Sequence, residues 1–339
     1  MTSKWTKIIL SALAITMALG LFTGCSDDAA APDEQTAVET DFYLSPTAMV
    51  ADAEIELNDE AVALAAAPAL SLSTSPQASG TLVSKNQKAM VDYSNTSDGY
   101  VMVKFTASTN KRLKVKVAGP KTADGYLYNI DAGQWVTFPL SDGNGNYTVT
   151  VFENTEGNKY ATVLTSSFSA SLSDEFAPFI RPNQYVNYQN AANTIATAKT
   201  LTQGVQNPLA KVEKIYDYVV ENLTYDTQKA KTVQSGYLPV LDSVLASKKG
   251  ICFDYAALMT GMLRSQGVPC QLVVGYAGNA YHAWVNVWVE GQGWVNGVIY
   301  FNGTTWQRMD PTFASSNHSN DAIMQYIGNG SNYSAKYLY

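Results

Sequence analysis

The chain has 339 residues, with 22 basic and 29 acidic side chains and a formal net charge of −7. An acidic balance argues against nucleic acid as a partner and against electrostatic binding to anionic lipid. Three cysteines and two histidines are too few for a disulfide framework or a zinc cluster.

Lys4 and Lys7 form a positive start, and Ile8 to Leu21 is an apolar run too short to span a bilayer comfortably. Leu21-Phe22-Thr23-Gly24-Cys25 resembles a bacterial lipobox, in which the chain is cut before a cysteine that then carries lipid; an ordinary cleaved signal is the alternative. Cleavage there removes two lysines and no acid, leaving a formal charge of −9. Lipid on Cys25 explains membrane attachment without a basic patch. The expected location is therefore extracytoplasmic, anchored to the bacterial cell membrane. Residues 26–80 are rich in Ala, Ser, Thr, Asp and Pro without a clear period, which predicts a flexible tether.

Over 81–172 the pattern changes to short alternating runs: 99–105, 112–119, 126–131, 134–140 and 147–153. "SDGNGN" (141–146) predicts a hairpin turn, because Gly and Asn accept positive φ. Such spacing predicts a small, immunoglobulin-like β-sandwich domain.

Residues 173–339 open with helical periods. In 207–223, Pro208 takes a first-turn position, and Val212, Ile215, Tyr216, Val219, Val220 and Leu223 recur at helical spacing. A second helix over 252–266 stops at Gly267 and Pro269; its apolar residues, Ala256, Leu258, Met259, Met262 and Leu263 among them, cover much of its surface and predict a central, buried position. Strands are predicted over 271–278, 282–290, 293–303 and 305–310. Helices first and then an antiparallel sheet make an α+β arrangement.

Cys252 opens the buried helix, where unsatisfied N–H groups and the positive dipole end favour thiolate over thiol. Gly250 permits a sharp turn there, and the Cys252 N–H could face a developing oxyanion. Cys270 follows the far end of the helix, roughly 20 Å away along the axis, against about 6 Å for a disulfide, so both thiols are expected reduced. The base candidates are His282, which opens a strand, and His318. Asp310, in "MDPTF", could hold an imidazole in the right tautomer. Each residue also has a structural reading, as a core thiol, a satisfied histidine and a turn aspartate.

"GICFDYAALMTGMLRSQGVPCQLVVGYAG", "YHAWVNVWVEGQGW" and "WQRMDPTF" together resemble the core of the transglutaminase-like superfamily, over about residues 205–315. The likeness is strongest to its secreted bacterial members described as cysteine proteases. It implies a papain-like core with Cys252 as nucleophile, His282 as general base and acid, and Asp310 as orienting acid. It also suggests Tyr225, in "LTYD", as an oxyanion donor where the animal enzymes have tryptophan; a packed core tyrosine is the alternative. No acidic cluster matches the animal enzymes' calcium sites, so no cofactor is expected. Asp254 reads as a first-turn dipole partner, Trp284 and Trp288 as core or cleft wall, and 237–239 with Asp242 as a border of the site.

The implied activity is attack on a peptide or glutamine carboxamide bond through a thioester on Cys252. Water as acceptor makes a protease or amidase acting on surface or cell-wall peptides, an amine makes a cross-linking transglutaminase, and a non-catalytic surface binding module is the rival.

Overall fold

The structure, a computed structural model, describes residues 75–289, 293–295, 299–301, 306–308 and 333–339. Cys25, Asp310 and His318 lie outside the described residues, as does most of the tether. The tether nevertheless ends earlier than residue 80, because Gln77 N–H donates to Tyr100 Oη (3.1 Å) and Gly80 N–H to Asp92 Oδ2 (2.7 Å).

Eight strands follow: β1 (Val83–Lys85), β2 (Ala89–Asp92), β3 (Tyr100–Phe105), β4 (Leu113–Ala118), β5 (Tyr126–Ile130), β6 (Trp135–Pro139), β7 (Gly145–Glu156) and β8 (Lys159–Ala170). They form two antiparallel sheets, ordered β1-β2-β3-β6 and β5-β4-β7-β8. Alternation drives this arrangement: Leu113, Val115 and Val117 are buried while the lysines between them are not. "SDGNGN" does not close a hairpin, since β6 pairs with β3 whereas β7 pairs with β4 and β8. It carries the chain from one sheet to the other. Buried Asp142 fixes this crossing by accepting Lys121 N–H (3.0 Å), Thr122 N–H (2.7 Å) and the Tyr126 hydroxyl (3.1 Å).

The remainder is α+β. Its helices are α1 (Ala192–Leu201), α2 (Pro208–Asn222), α3 (Thr227–Thr232), α4 (Leu241–Ser247) and α5 (Cys252–Ser265). Two-residue strands β9 (Thr224–Tyr225) and β10 (Lys249–Gly250) pair in parallel just before α5. Asn207 caps α2, its side chain accepting Leu209 and Ala210 N–H, with Pro208 in the first turn as expected. Every residue of α5 is buried. It packs on α1, α2 and α4 and on the strands β11 (Cys270–Ala277) and β12 (Ala280–Val289). At Gly261 a Cβ would come within 2.5 Å of Leu241 Cδ1, so glycine lets α4 approach this closely.

The sheet is antiparallel, ordered β13-β12-β11-β16, with β13 at Gly293–Val295 and β16 at Tyr333–Leu338. β14 (Ile299–Phe301) pairs instead with β15 (Trp306–Arg308). The predicted single strand 293–303 is thus two strands in different sheets; the run contains Asn296-Gly297, a turn pair. The two halves of the molecule share aromatic contacts, Tyr126 with Tyr337 and Tyr339, and Tyr128 with Tyr185 and Tyr339.

The residue before α1, Ala191, offers no side-chain cap. Asp242, at the start of α4, supplies one by accepting Asn193 N–H (3.1 Å), Thr194 N–H (2.8 Å) and the Thr194 hydroxyl (2.8 Å). This gives the residue a structural task. Burial alone would raise its carboxyl, but the bonds from Thr194 and Asn193 outweigh burial and hold it below the ordinary value. A depressed folded value means stability present above the unfolded pKa of about 3.9 and lost as pH falls through the folded one. Asp242→Ala should cost about 1–2 kcal/mol at pH 7 in urea unfolding, and its gap to the wild type should close as pH drops below about 4.

Candidate active site

Cys252 is the first residue of α5 and is buried, at 2% exposure. A helix offers its first-turn amides no internal carbonyl. One amide just outside the helix is satisfied by Asp254, whose Oδ2 accepts Ile251 N–H at 2.8 Å. Asp254 is completely buried, and its charge is met twice more: Lys229 Nζ of α3 lies 2.7 Å from Oδ2, and the Tyr237 hydroxyl donates to Oδ1 at 2.5 Å. Lys229 also donates to the Tyr237 oxygen at 2.6 Å. Burial, and after it Asp254, push the Tyr237 phenol well up, so it stays protonated and able to donate. A buried carboxylate without such partners would cost several kcal/mol. The expectation of Asp254 as a first-turn partner agrees with this geometry, whereas Lys229 and Tyr237 are new. The helix-start position of Asp254 was a signal; nothing in the local sequence ties it to residues 17 and 25 positions upstream.

Gly250 is required for space. Its φ lies outside the left-handed region, and a Cβ there would meet Asp254 Cβ at 2.5 Å. Tyr225 sits beside it, since β9 and β10 pair Tyr225 with Gly250, and Asp226 N–H donates to Gly250 O at 2.9 Å. The phenol-bearing residue is therefore on the strand adjoining the approach to Cys252.

His282 lies on β12, opposite Gly275, and is 1% exposed. Its ring stacks on Trp284, with centroids 6.3 Å apart, and lies 6.5 Å from that of Tyr333. Strand alternation puts Ala283, Val285 and Val287 into the core around α5, and His282, Trp284 and Asn286 on the other face. β13 pairs only with Val287–Val289, so along the segment of β12 that holds His282 the only described neighbour is β11. Trp284 donates to Asn286 Oδ1 at 3.1 Å, and Trp288 packs on Phe176 and Trp294, so both indoles act as core.

Cys252 and Cys270 are both free thiols. Cys270 is fully buried 3.7 Å from Thr260 O, and burial pushes its thiol up to about 11, which makes it unreactive at neutral pH. Beside it, buried Arg264 donates to the carbonyls of Cys270 (2.8 and 3.1 Å), Arg181 (2.9 Å) and Tyr339 (2.6 Å). This side chain ties the end of α5 to β11, to the 181 loop and to the residue after β16. Among the described residues no acidic, histidine or cysteine group is arranged to hold a metal ion.

Tyr237→Phe removes one donor from a buried carboxylate and should lower unfolding free energy by about 1.5–3 kcal/mol. The denaturant midpoint should fall with an unchanged slope; an unshifted midpoint would show that Lys229 and the Ile251 N–H suffice for Asp254.

Comparison with known proteins finds similarity in part of the second half of the chain. Residues 195–297 match the model of the transglutaminase-like superfamily. An uncharacterized Bacillus subtilis protein, YebA, is 29% identical over 174 residues, which are 44% of this chain and 22% of that protein. A Pseudomonas aeruginosa protein-glutamine gamma-glutamyltransferase is 29% identical over 116 residues, 30% of this chain and 17% of that enzyme. The chain therefore covers about a fifth of either relative's length. A solved protein of Cytophaga hutchinsonii with a provisional cysteine-protease designation superposes over 63% of this chain and 71% of its own, at 16% identity and a TM-score of 0.33. The stretch that holds Cys252 at a helix start and His282 on the adjoining sheet is a transglutaminase-like domain.

Proposed function

We propose that the protein is a thiol enzyme of the cell exterior, held to the membrane by lipid on Cys25, that cleaves amide bonds in peptides. One observation carries this reading: Cys252 occupies the first position of a wholly buried helix inside the transglutaminase-like segment. His282 takes the Cys252 thiol proton, and the thiolate so formed attacks the carbonyl carbon of a peptide or glutamine carboxamide. The oxyanion is met by the first-turn amides of α5 and by the Tyr225 hydroxyl. Collapse breaks the C–N bond, His282 returns the proton to the leaving amine, and an acyl thioester remains on Cys252. Asp310 orients the imidazole.

For this chemistry His282 has to reach Cys252 past the edge of β12, on the side where no described strand continues the short pairing with β13. Water as acceptor then completes hydrolysis, the outcome suited to an anchored enzyme acting on surface or cell-wall peptides. The Pseudomonas aeruginosa relative, a protein-glutamine gamma-glutamyltransferase, favours a second outcome in which an amine takes the acyl group and cross-links proteins.

Mass spectrometry of a glutamine-containing peptide, incubated with and without a primary amine, separates the cases. Deamidation or backbone cleavage identifies hydrolysis, and an amine adduct identifies transfer. Cys252→Ala should abolish either product, and His282→Ala should slow its formation by about 10²–10⁴-fold. Product formation unaffected by both changes would remove the thiol mechanism.

A further inference from the structure

A cavity of about 400 Å³ lies between the two halves of the molecule, on the face of the β13-β12-β11-β16 sheet turned away from α5. Its floor draws on all four strands: Trp294 of β13, Asn286 of β12, Gln271 of β11, and Ala335 and Leu338 of β16. Register sets them on one face, because Gln271 pairs with Asn286, and Trp294 with Trp288 two residues further along β12. The roof is Ser141, Gly143 and Asn144 from the crossing between the sandwich sheets, with Leu172 and Phe179 from the segment that joins the halves. Exposed Lys121 and Glu175 stand at the rim.

The floor ends a directed chain of hydrogen bonds. Trp284 Nε1 can only donate, so Asn286 turns its oxygen toward it (3.1 Å) and gives its Nδ2 to Gln271 Oε1 (3.1 Å). Gln271 Nε2 is left over. The residue is 4% exposed, lines the cavity and finds no acceptor for that nitrogen among the described residues. In a low dielectric each link polarises the next, which strengthens the terminal donor. Little else inside is free: the Ser141 hydroxyl is closed off from the space, and Gly143 O accepts the Tyr147 hydroxyl at 2.8 Å. Asn144 Oδ1 accepts Leu172 N–H (2.7 Å), which leaves its amide nitrogen as a second donor. Lys121 and Glu175 form no ion pair among the described residues.

We infer that this cavity, built jointly by the two domains, is a binding site for a neutral saccharide. Its volume lies in the range of about 300–1,000 Å³ found for small-ligand sites and suits about one or two sugar rings. Trp294, Phe179, Leu172 and Leu338 offer apolar surface to the C–H side of a ring, whereas Gln271 and Asn144 donate to its oxygens and Glu175 accepts from hydroxyls at the rim. A wholly apolar guest would leave Gln271 Nε2 without a partner. A net charge gains little, because the rim carries one side chain of each sign and nothing charged lines the interior. An extended peptide docks by adding to a sheet edge, but this floor crosses the face of four paired strands. Neither Cys252 nor His282 lines the cavity, so the site stands or falls apart from the acyl-transfer reading.

The test is a ligand-observed NMR titration of the full chain with four neutral sugars: methyl glucoside, methyl galactoside, methyl mannoside and N-acetylglucosamine. The charged sugars glucosamine and glucuronate, and N-acetyl-trialaninamide, serve as competitors of other chemistry. At least one neutral sugar should bind roughly tenfold or more tightly than either charged sugar or the peptide. Gln271→Met removes the donor at nearly constant shape and should weaken that sugar about fivefold or more. Ala335→Trp fills the floor from an exposed position and should abolish binding; it decides the matter should Gln271→Met fail to melt cooperatively. No neutral sugar bound, tighter binding of a charged sugar or of the peptide, or sugar affinity unchanged in either folded variant would overturn the inference.

Discussion

Burying every residue of α5 imposes the main constraint on this molecule. A helix with no solvent-facing side must satisfy each of its charged side chains inside the protein, and α5 has two. Asp254 stands at the positive end of the helix dipole and Arg264 at the negative end, the favourable orientation for both. They do not pair with each other. Asp254 draws in α3 and the loop of Tyr237, whereas Arg264 gathers the nearby carbonyl of Cys270 and the sequence-distant carbonyls of Arg181 and Tyr339. The surroundings of Cys252 are thus organised by what its own helix requires.

The same constraint connects fold to site. Asp254 takes the Ile251 amide, which fixes where the helix begins and hence where the Cys252 sulfur lies. Glycine at 250 follows directly, since any side chain would occupy the volume of Asp254. The loop that supplies Tyr237 touches Asn129 on the sandwich, so the first domain helps shape the neighbourhood of the thiol.

Much of this is legible in the sequence where a long period or a cap announces it. α2 and α5 follow from apolar spacing, from Pro208 at one start and from Gly267 and Pro269 at the other's end. Shorter elements escape notice. α3 and α4 have six and seven residues, too few for a period, and β8 is largely exposed and rich in Ser and Thr, so its strand character comes from pairing with β7. Pairing also explains the crossing at 141–146: turn residues reveal that the chain reverses but not which strand it rejoins. At the site, Cys252 and His282 stand out by chemistry and motif, whereas Lys229 lies in a short polar helix and gains its role only when α5 is buried beside it.

The measurement that bears most directly on the account is the rate of iodoacetamide alkylation at pH 7, read at each cysteine by mass spectrometry in the wild type and in His282→Ala. Cys270 serves as an internal control, since burial keeps its thiol protonated. The account predicts that wild-type Cys252 reacts well ahead of Cys270 and slows roughly tenfold or more when the imidazole is removed. Alkylation of Cys252 at the same rate in both proteins would contradict a thiol–imidazole pair and leave the domain a binding scaffold.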